Sequence, residues 1–186
     1  MELIGSINNN KLDFSLLDRY ARRIRSTGGY TYRWTFTDEN GTRTTLSGNT
    51  RRGFSVWQTP LFVFYQIFME FHPNGYLSRK GKIMGNGGVR VGEWRHYDET
   101  GQLIKTVDED AKFGKFGYNE LLLLLHKRGH INIETGAGRE GLDISFNSEN
   151  KTWGVITETN FWITIYDIDG QTGDILEMEE KQGGIM

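Results

Sequence analysis

The chain of 186 residues contains no cysteine and only two prolines. The absence of cysteine excludes a disulfide framework, a thiol nucleophile and a thiolate-bound metal. The low proline content argues against polyproline linkers, whereas 24 glycines are available for tight turns. This composition, with enough aromatic residues to build a core, favours a globular protein that is rich in hairpins.

The chain also lacks a hydrophobic segment of the length that a membrane span requires, which is about 20 residues. Its most apolar stretch runs from Pro60 to Met69 and includes Gln66, so we interpret it as a buried strand. Residues 1–10 have neither the basic nor the apolar region of a secretory signal. We therefore expect a cytoplasmic protein without a membrane span. The alternative is an extracytoplasmic protein whose signal is missing from this sequence.

Catalytic motifs are absent as well: the chain contains no phosphate-binding loop, dinucleotide-binding fingerprint or serine-hydrolase elbow. His126 and His130 have the i, i+4 spacing of a metal pair, but Gly129 interrupts the helix between them and no Glu follows His126. Asp167 and Asp169 resemble the start of a calcium loop that lacks its closing Glu, so a hairpin turn explains them better. We therefore predict a protein that is not an enzyme and has no cofactor or metal.

Two copies of one turn phrase are the most informative feature that is present. They read FMEFHPNGYL at residues 68–77 and WRHYDETGQL at residues 94–103. In each copy two aromatic residues three positions apart precede a polar turn, a Gly and a Leu. This spacing predicts β-hairpins with Gly75 and Gly101 in the turns, because glycine readily adopts a positive φ. A less regular copy spans residues 34–46.

These copies and the Gly-rich link between them, residues 85–94, resemble the bacterial variant of the MORN repeat over residues 68–110. Proteins with this repeat are often labelled antitoxins of toxin–antitoxin pairs. The resemblance implies a hairpin meander and a protein-binding role. It rests on two clear copies, whereas a solenoid usually needs three or more to bury a continuous core.

The rest of the N-terminal half is interpreted as one helix followed by strands. The helix is predicted near residues 13–26, with Asp13 as its cap and Gly28 and Gly29 at its end. Its last turn contains Arg22, Arg23 and Arg25, which would complement the helix dipole or form a basic patch for nucleic acid or an acidic partner. Alternating aromatic and polar residues at 30–37 predict a strand with one buried face. Further strands are predicted at residues 54–57, 62–71, 89–97 and 103–107.

The pattern changes after Lys112. The segment YNELLLLLHKRG at residues 118–129 predicts a helix that Asn119 caps and Gly129 ends, although five consecutive leucines would also suit a strand. Strands are predicted next, at residues 131–135, 142–146, 152–157 and 161–178. A helix before a meander that ends in IDGQTGDIL, residues 168–176, resembles the cystatin-like half-module of PepSY proteins. That resemblance implies an extracytoplasmic module linked to protease inhibition.

Together these patterns predict an α+β protein that is mostly β. An antiparallel β-hairpin meander of MORN-like type is followed by a small module with a helix on an antiparallel sheet. The predicted parts are an N-terminal segment with one helix (1–29), a hairpin-repeat domain (30–111), a PepSY-like α+β module (112–180) and a flexible tail (181–186).

Charge is distributed unevenly along the chain. Residues 1–60 contain nine Lys and Arg against five Asp and Glu, whereas residues 112–186 contain seven against twelve. Because a nucleic-acid-binding protein is more often basic overall, nucleic acid is not an expected partner. The acidic part would steer association with a basic protein, and aromatic residues beside turns are candidate anchors. The candidate partner-binding residues are Phe71, Tyr76, Tyr97, Glu177, Glu179 and Glu180.

The sequence therefore predicts a non-enzymatic protein-binding function. The first hypothesis is an immunity or antitoxin protein that binds a cognate toxin and occludes its active site. The alternative is an extracytoplasmic binding or scaffold module of a lipoprotein. The sequence leaves the oligomeric state open.

Overall fold

The computed structural model describes residues 10–26, 29–85, 88–159 and 161–183. Within these ranges the chain forms two helices and twelve strands, which confirms an α+β fold that is mostly β. In chain order the elements are α1 (Phe14–Tyr20), β1 (Arg22–Ser26), β2 (Gly29–Thr37), β3 (Arg43–Asn49), β4 (Gly53–Thr59), β5 (Tyr65–Phe71), β6 (Leu77–Met84), β7 (Val89–Tyr97), β8 (Leu103–Asp108), a 3-10 turn (Glu109–Lys112), α2 (Tyr118–Lys127), β9 (Leu142–Asn147), β10 (Thr152–Glu158), β11 (Trp162–Asp169) and β12 (Ile175–Gln182).

Two sheets contain all of these strands. Strands β1 to β8 form an antiparallel meander in chain order, so β1 and β8 are its edges. Strands β9 to β12 form the second sheet, again with neighbours in chain order, so β9 and β12 are edges. Neither described helix has the length and apolarity needed to cross a bilayer.

The chain divides into two compact units, each built from three segments that are not contiguous in sequence. Unit 1 comprises residues 1–61, 66–82 and 93–107, and unit 2 comprises residues 62–65, 83–92 and 108–186. Unit 1 contains 14 Lys and Arg residues against nine Asp and Glu, a net charge of +5, whereas unit 2 contains eight against 15, a net charge of −7. The near-neutral chain is therefore the sum of a basic unit and an acidic unit.

The core of unit 1 lies between α1 and one face of the meander. Trp34, Leu46, Val56 and Met69 are cross-strand partners in successive strands, so their side chains share that face. Leu17 of α1 is buried in the same cluster. The period-two alternation of aromatic residues in β2 is therefore confirmed, with the aromatic face turned to the core.

The core of unit 2 is built by α2, the second sheet and the ends of β6 and β7 that belong to this unit. Leu121 and Leu125, which are four positions apart and lie on one face of α2, are fully buried in a cluster with Trp153 and Val155. The Trp153 indole donates a hydrogen bond of 2.9 Å to the carbonyl of Phe116, which satisfies its one polar atom. The five leucines form a helix, as predicted.

The N-terminal helix is shorter than the sequence predicted. Asp13 caps it by accepting a 2.8 Å hydrogen bond from the Ser15 amide. The helix ends at Tyr20 because Ala21 is extended and residues 22–26 pair with β2 as an edge strand. Of the two predicted stop glycines, Gly29 begins β2, and residue 28 lies outside the described ranges.

Two predicted strands are wrong in whole or in part. The apolar stretch at residues 60–69 is not one buried strand, since β5 begins at Tyr65 and Phe62 is exposed with φ +62°. Residues 131–135 form no strand: residues 133–135 are in a turn, in which the Asn132 side chain accepts hydrogen bonds from the amides of Glu134 and Thr135.

The ends of two C-terminal elements also differ from the prediction. The residue that caps α2 is Gly117, two residues before the predicted cap Asn119, and the Glu120 carboxylate accepts a 3.0 Å hydrogen bond from the Gly117 amide. Gly129 ends the helix with φ +78°, as predicted. Strand β12 continues to Gln182, so the predicted tail begins inside a paired strand.

Candidate protein-binding site

Three hairpin turns of unit 1 have the same backbone hydrogen bonds. In each turn the amide of the first residue donates to the carbonyl of the fifth, and the amide of the glycine donates to the carbonyl of the first. The first residue and the glycine are Asp38 and Gly41, His72 and Gly75, and Asp98 and Gly101, and all six distances lie between 2.8 and 3.1 Å. The glycines have φ values of +76°, +88° and +85°. The two predicted hairpins and the less regular copy are therefore confirmed as one repeated turn.

The second and third of these turns contact each other. The Asn74 side chain donates a 2.8 Å hydrogen bond to the carbonyl of Glu99, and the His72 ring lies 3.2 Å from the carbonyl of Tyr97. The Lys11 ammonium lies 4.5 Å from the centre of the Tyr76 ring. Tyr76 and Tyr97 lie in this hydrogen-bonded pair of turns and are half-buried, with part of each ring exposed.

The third predicted aromatic anchor has a different environment. Phe71 is buried in the core of unit 1, where it lies opposite Phe54 across β4 and β5. Its ring therefore serves the core, and we leave it out of the surface that is proposed below.

Tyr97 also lines a cavity of about 310 Å³ in unit 1, together with Lys80, Lys82, Glu93 and Arg95 among others. Gly81 lies against the Trp94 ring, so the lysines on either side of it project from the opposite face of the strand. The Arg95 guanidinium and the Glu93 carboxylate form a 2.6 Å ion pair. That hydrogen bond raises the pKa of Arg95.

The three predicted acidic residues lie on the edge strand β12 of unit 2. Glu177 and Glu179 are opposite Asp167 and Ile165 and project from one face of the sheet, whereas Glu180 is opposite Thr164 and projects from the other. All three side chains are exposed. Glu179 forms a 3.1 Å ion pair with Lys181.

Large apolar side chains accompany these carboxylates. The register of β11 and β12 shifts at Asp167, which leaves Leu176 as the additional residue of a β-bulge. Four apolar side chains at this edge are at least half exposed: Phe161 (61%), Trp162 (51%), Leu176 (59%) and Met178 (50%). We call residues 161–162 and 176–180, whose side chains project from both faces of this edge, the acidic edge. Sequence alternation did not reveal its apolar part, because the same residue types fill the core in β9 and β10.

A polar cluster lies on the helix-facing side of the same sheet. One His130 ring nitrogen is 2.6 Å from the Tyr166 hydroxyl, and the other is 3.1 Å from the Thr157 hydroxyl. Burial is the largest cause of a lowered His130 pKa, the Arg128 charge lowers it further, and the Glu180 carboxylate opposes both. Both ring nitrogens are thus engaged by hydroxyl groups, and the described residues contain no group of three metal-ligating side chains.

Comparison with protein-family models, with curated proteins and with solved structures finds no match to this chain. The function is therefore inferred from the acidic edge, from the pair of hairpin turns and from the resemblance of residues 68–110 to the MORN-type repeat.

Proposed function

We propose that this protein is a non-enzymatic binding protein of the immunity or antitoxin type, which neutralises a cognate toxin by binding and occluding it. The observation that carries the proposal is the acidic edge, where exposed apolar side chains and carboxylates share an open edge strand. The resemblance of residues 68–110 to the repeat of antitoxin-like proteins supports the same function.

The apolar part of the acidic edge supplies affinity. Trp and Met are enriched in protein interfaces, and a few large side chains usually dominate the binding free energy. Trp162 and Met178 are each about half exposed, so a partner would remove further apolar surface from water when it covers them. At about 25 cal/mol per Å² of apolar surface, this burial favours association.

The acidic residues of this edge favour partners with a basic surface. Glu177, Glu179 and Glu180 belong to a unit of net charge −7, which attracts a basic surface and accelerates its encounter. The same charges oppose edge-to-edge pairing with other acidic strands. A basic toxin surface, met in the cytoplasm, is the complementary partner.

The test is a pull-down of the full chain with the products of neighbouring genes, followed by a measurement of toxin activity with increasing amounts of this protein. We expect a stoichiometric complex and loss of the toxin activity. Trp162→Ala combined with Met178→Ala should weaken the complex at least tenfold. Leu123→Ala, which truncates an exposed leucine on α2, is the matched control and should leave binding unchanged.

Two results would contradict the proposal. The first is a complex that forms equally well with the Trp162 and Met178 variant and with its control. The second is the absence of any complex together with turnover of a small molecule that His130 variants abolish, which would indicate an enzyme.

A further inference from the structure

The four strands β1 to β4 of unit 1 contain five arginines and no aspartate or glutamate. The arginines are Arg22, Arg23, Arg25, Arg33 and Arg43, and their side chains are exposed. Four adjacent strands without one carboxylate are unusual for a chain whose net charge is −2. This concentration of positive charge has no role in the protein-binding function proposed above.

The register of the sheet places two of these arginines directly opposite each other. Arg22 of β1 faces Arg33 of β2, and the same cross-strand row continues to Ser47 and Ser55. Like charges that are directly opposite destabilise a sheet. The row continues to Glu70 of β5, whose carboxylate is already paired with Arg79 of the neighbouring strand β6 at 2.5 Å. An external anion would relieve the repulsion between Arg22 and Arg33.

The neighbouring rows add hydroxyl groups, an aromatic ring and a third arginine to this face. One row contains Thr35, Thr45 and Trp57, and the next pairs Thr37 with Arg43. Because side chains two residues apart along a strand share a face, all of them project with Arg22 and Arg33. We call this surface the arginine face: Arg22, Arg33, Arg43, Ser47, Ser55 and Trp57.

We propose that the arginine face binds the phosphate backbone of a single-stranded nucleic acid. Guanidinium groups bind phosphate oxygens in a bidentate manner, and serine and threonine hydroxyls are common additional donors to phosphate. Arg33 and Arg43 are separated by four residues along the strand direction, roughly 13 Å. One phosphate group does not bridge that distance, so the face requires a polyanion.

Trp57 selects nucleic acid among polyanions. Its half-buried ring belongs to the cross-strand row between those of Arg33 and Arg43 and packs against Phe68, with 4.6 Å between the ring centres. Stacking of an exposed base on an aromatic ring contributes about 1–3 kcal/mol in single-strand binding proteins. An acidic peptide would use the arginines but would gain no stacking. The low total charge of the sequence argued against a nucleic-acid partner, because the acidic unit 2 outweighs the basic unit 1.

The test uses the full chain and fluorescence anisotropy of labelled DNA and RNA single strands of about 20 nucleotides, at about 50 mM salt. We expect binding that weakens with salt. Arg22→Gln with Arg33→Gln should lower the affinity at least tenfold and reduce the slope of log affinity against log salt by about 1.4, which is about 0.7 for each phosphate contact. If that double variant does not fold, Arg43→Gln on the same face provides the same test with one contact.

The matched control is Arg52→Gln with Lys105→Gln, which removes two exposed cations of unit 1 outside the arginine face. It should change the affinity less than about twofold. Trp57→Leu should weaken binding of the ordinary strand and leave binding of an abasic strand of equal length unchanged.

Four results would overturn the proposal: no binding of either strand, equal losses in the two double variants, equal affinity for a polyglutamate peptide, or salt-dependent self-association that the arginine-face variant abolishes. The third would assign the face to an acidic protein, and the fourth to a second copy of this chain.

Discussion

Gly101 lies directly against the ring of Tyr76. A methyl group at Gly101 would come within 2.8 Å of the Tyr76 Cδ1 atom, and the glycine also has φ +85°. The turn of one hairpin is therefore fitted to the residue that follows the turn of the preceding hairpin. This contact gives a reason for the glycine at position 101 and for the aromatic residue that follows Gly75, whereas Gly75 itself lies against Phe14.

We predict that Gly101→Ala destabilises unit 1 by about 2 kcal/mol or more, because a left-handed φ costs a residue with a Cβ about 1–2 kcal/mol and the methyl group also displaces Tyr76. The measurement is urea unfolding in a double-mutant cycle with Tyr76→Ala. In the Tyr76→Ala background the cost should fall to the φ strain alone. Equal costs in both backgrounds would show that the Tyr76 contact contributes nothing.

The leucines of α2 provide a second prediction about stability. Leu125→Ala should cost about 2–5 kcal/mol, because the side chain is fully buried and truncation leaves a cavity. Leu122 is only half-buried, so Leu122→Ala should cost less. Leu123, which is 47% exposed, is the control and should be almost neutral when truncated. Thermal or urea unfolding of the three variants measures these losses in unfolding free energy. A larger loss for Leu123→Ala than for Leu125→Ala would show that the assigned buried face of α2 is wrong.

The His130 cluster predicts a pH dependence of stability. Burial lowers the pKa of His130 in the folded protein below its ordinary value of 6.5. The unfolded chain therefore binds the proton first as the pH falls, so this contribution to stability is complete above pH 6.5 and is lost as the pH falls through the lower folded pKa. Unfolding in urea at several pH values should show a smaller acid loss for His130→Gln than for the unchanged chain. Parallel pH profiles for the two proteins would contradict the prediction.

The proposed toxin complex predicts separate effects on its two rate constants. Replacing Glu177, Glu179 and Glu180 by Lys should slow association and weaken its salt dependence, because steering acts over the Debye length. Truncating Trp162 and Met178 to Ala should instead raise the dissociation rate, about tenfold for each 1.4 kcal/mol lost. Surface plasmon resonance at two salt concentrations distinguishes the effects. If the variant with the three glutamates replaced changed only the dissociation rate, the proposal that these glutamates steer association would be wrong.

The locally determined features of this fold could be read from the sequence. The hairpin turns at Gly75 and Gly101, the Asp13 cap and the helix end at Gly129 each depend on a few adjacent residues, whose φ preferences and hydrogen-bonding groups suffice to specify them. The fold class followed from these signals, because turns at such spacings leave the intervening segments few alternatives to antiparallel strands.

Features that depend on distant partners were decided only by the tertiary structure. Residues 22–26 have a helix-compatible pattern, but pairing with β2 makes them an edge strand. Phe71 and Trp162 are both aromatic residues at strand ends, yet the first is buried in the core cluster of unit 1 and the second is half exposed outside either core cluster. The facing pair Arg22 and Arg33 likewise arises from the strand register. Sequence spacing specifies what one segment can form, whereas exposure and charge pairing depend on which other segment lies beside it.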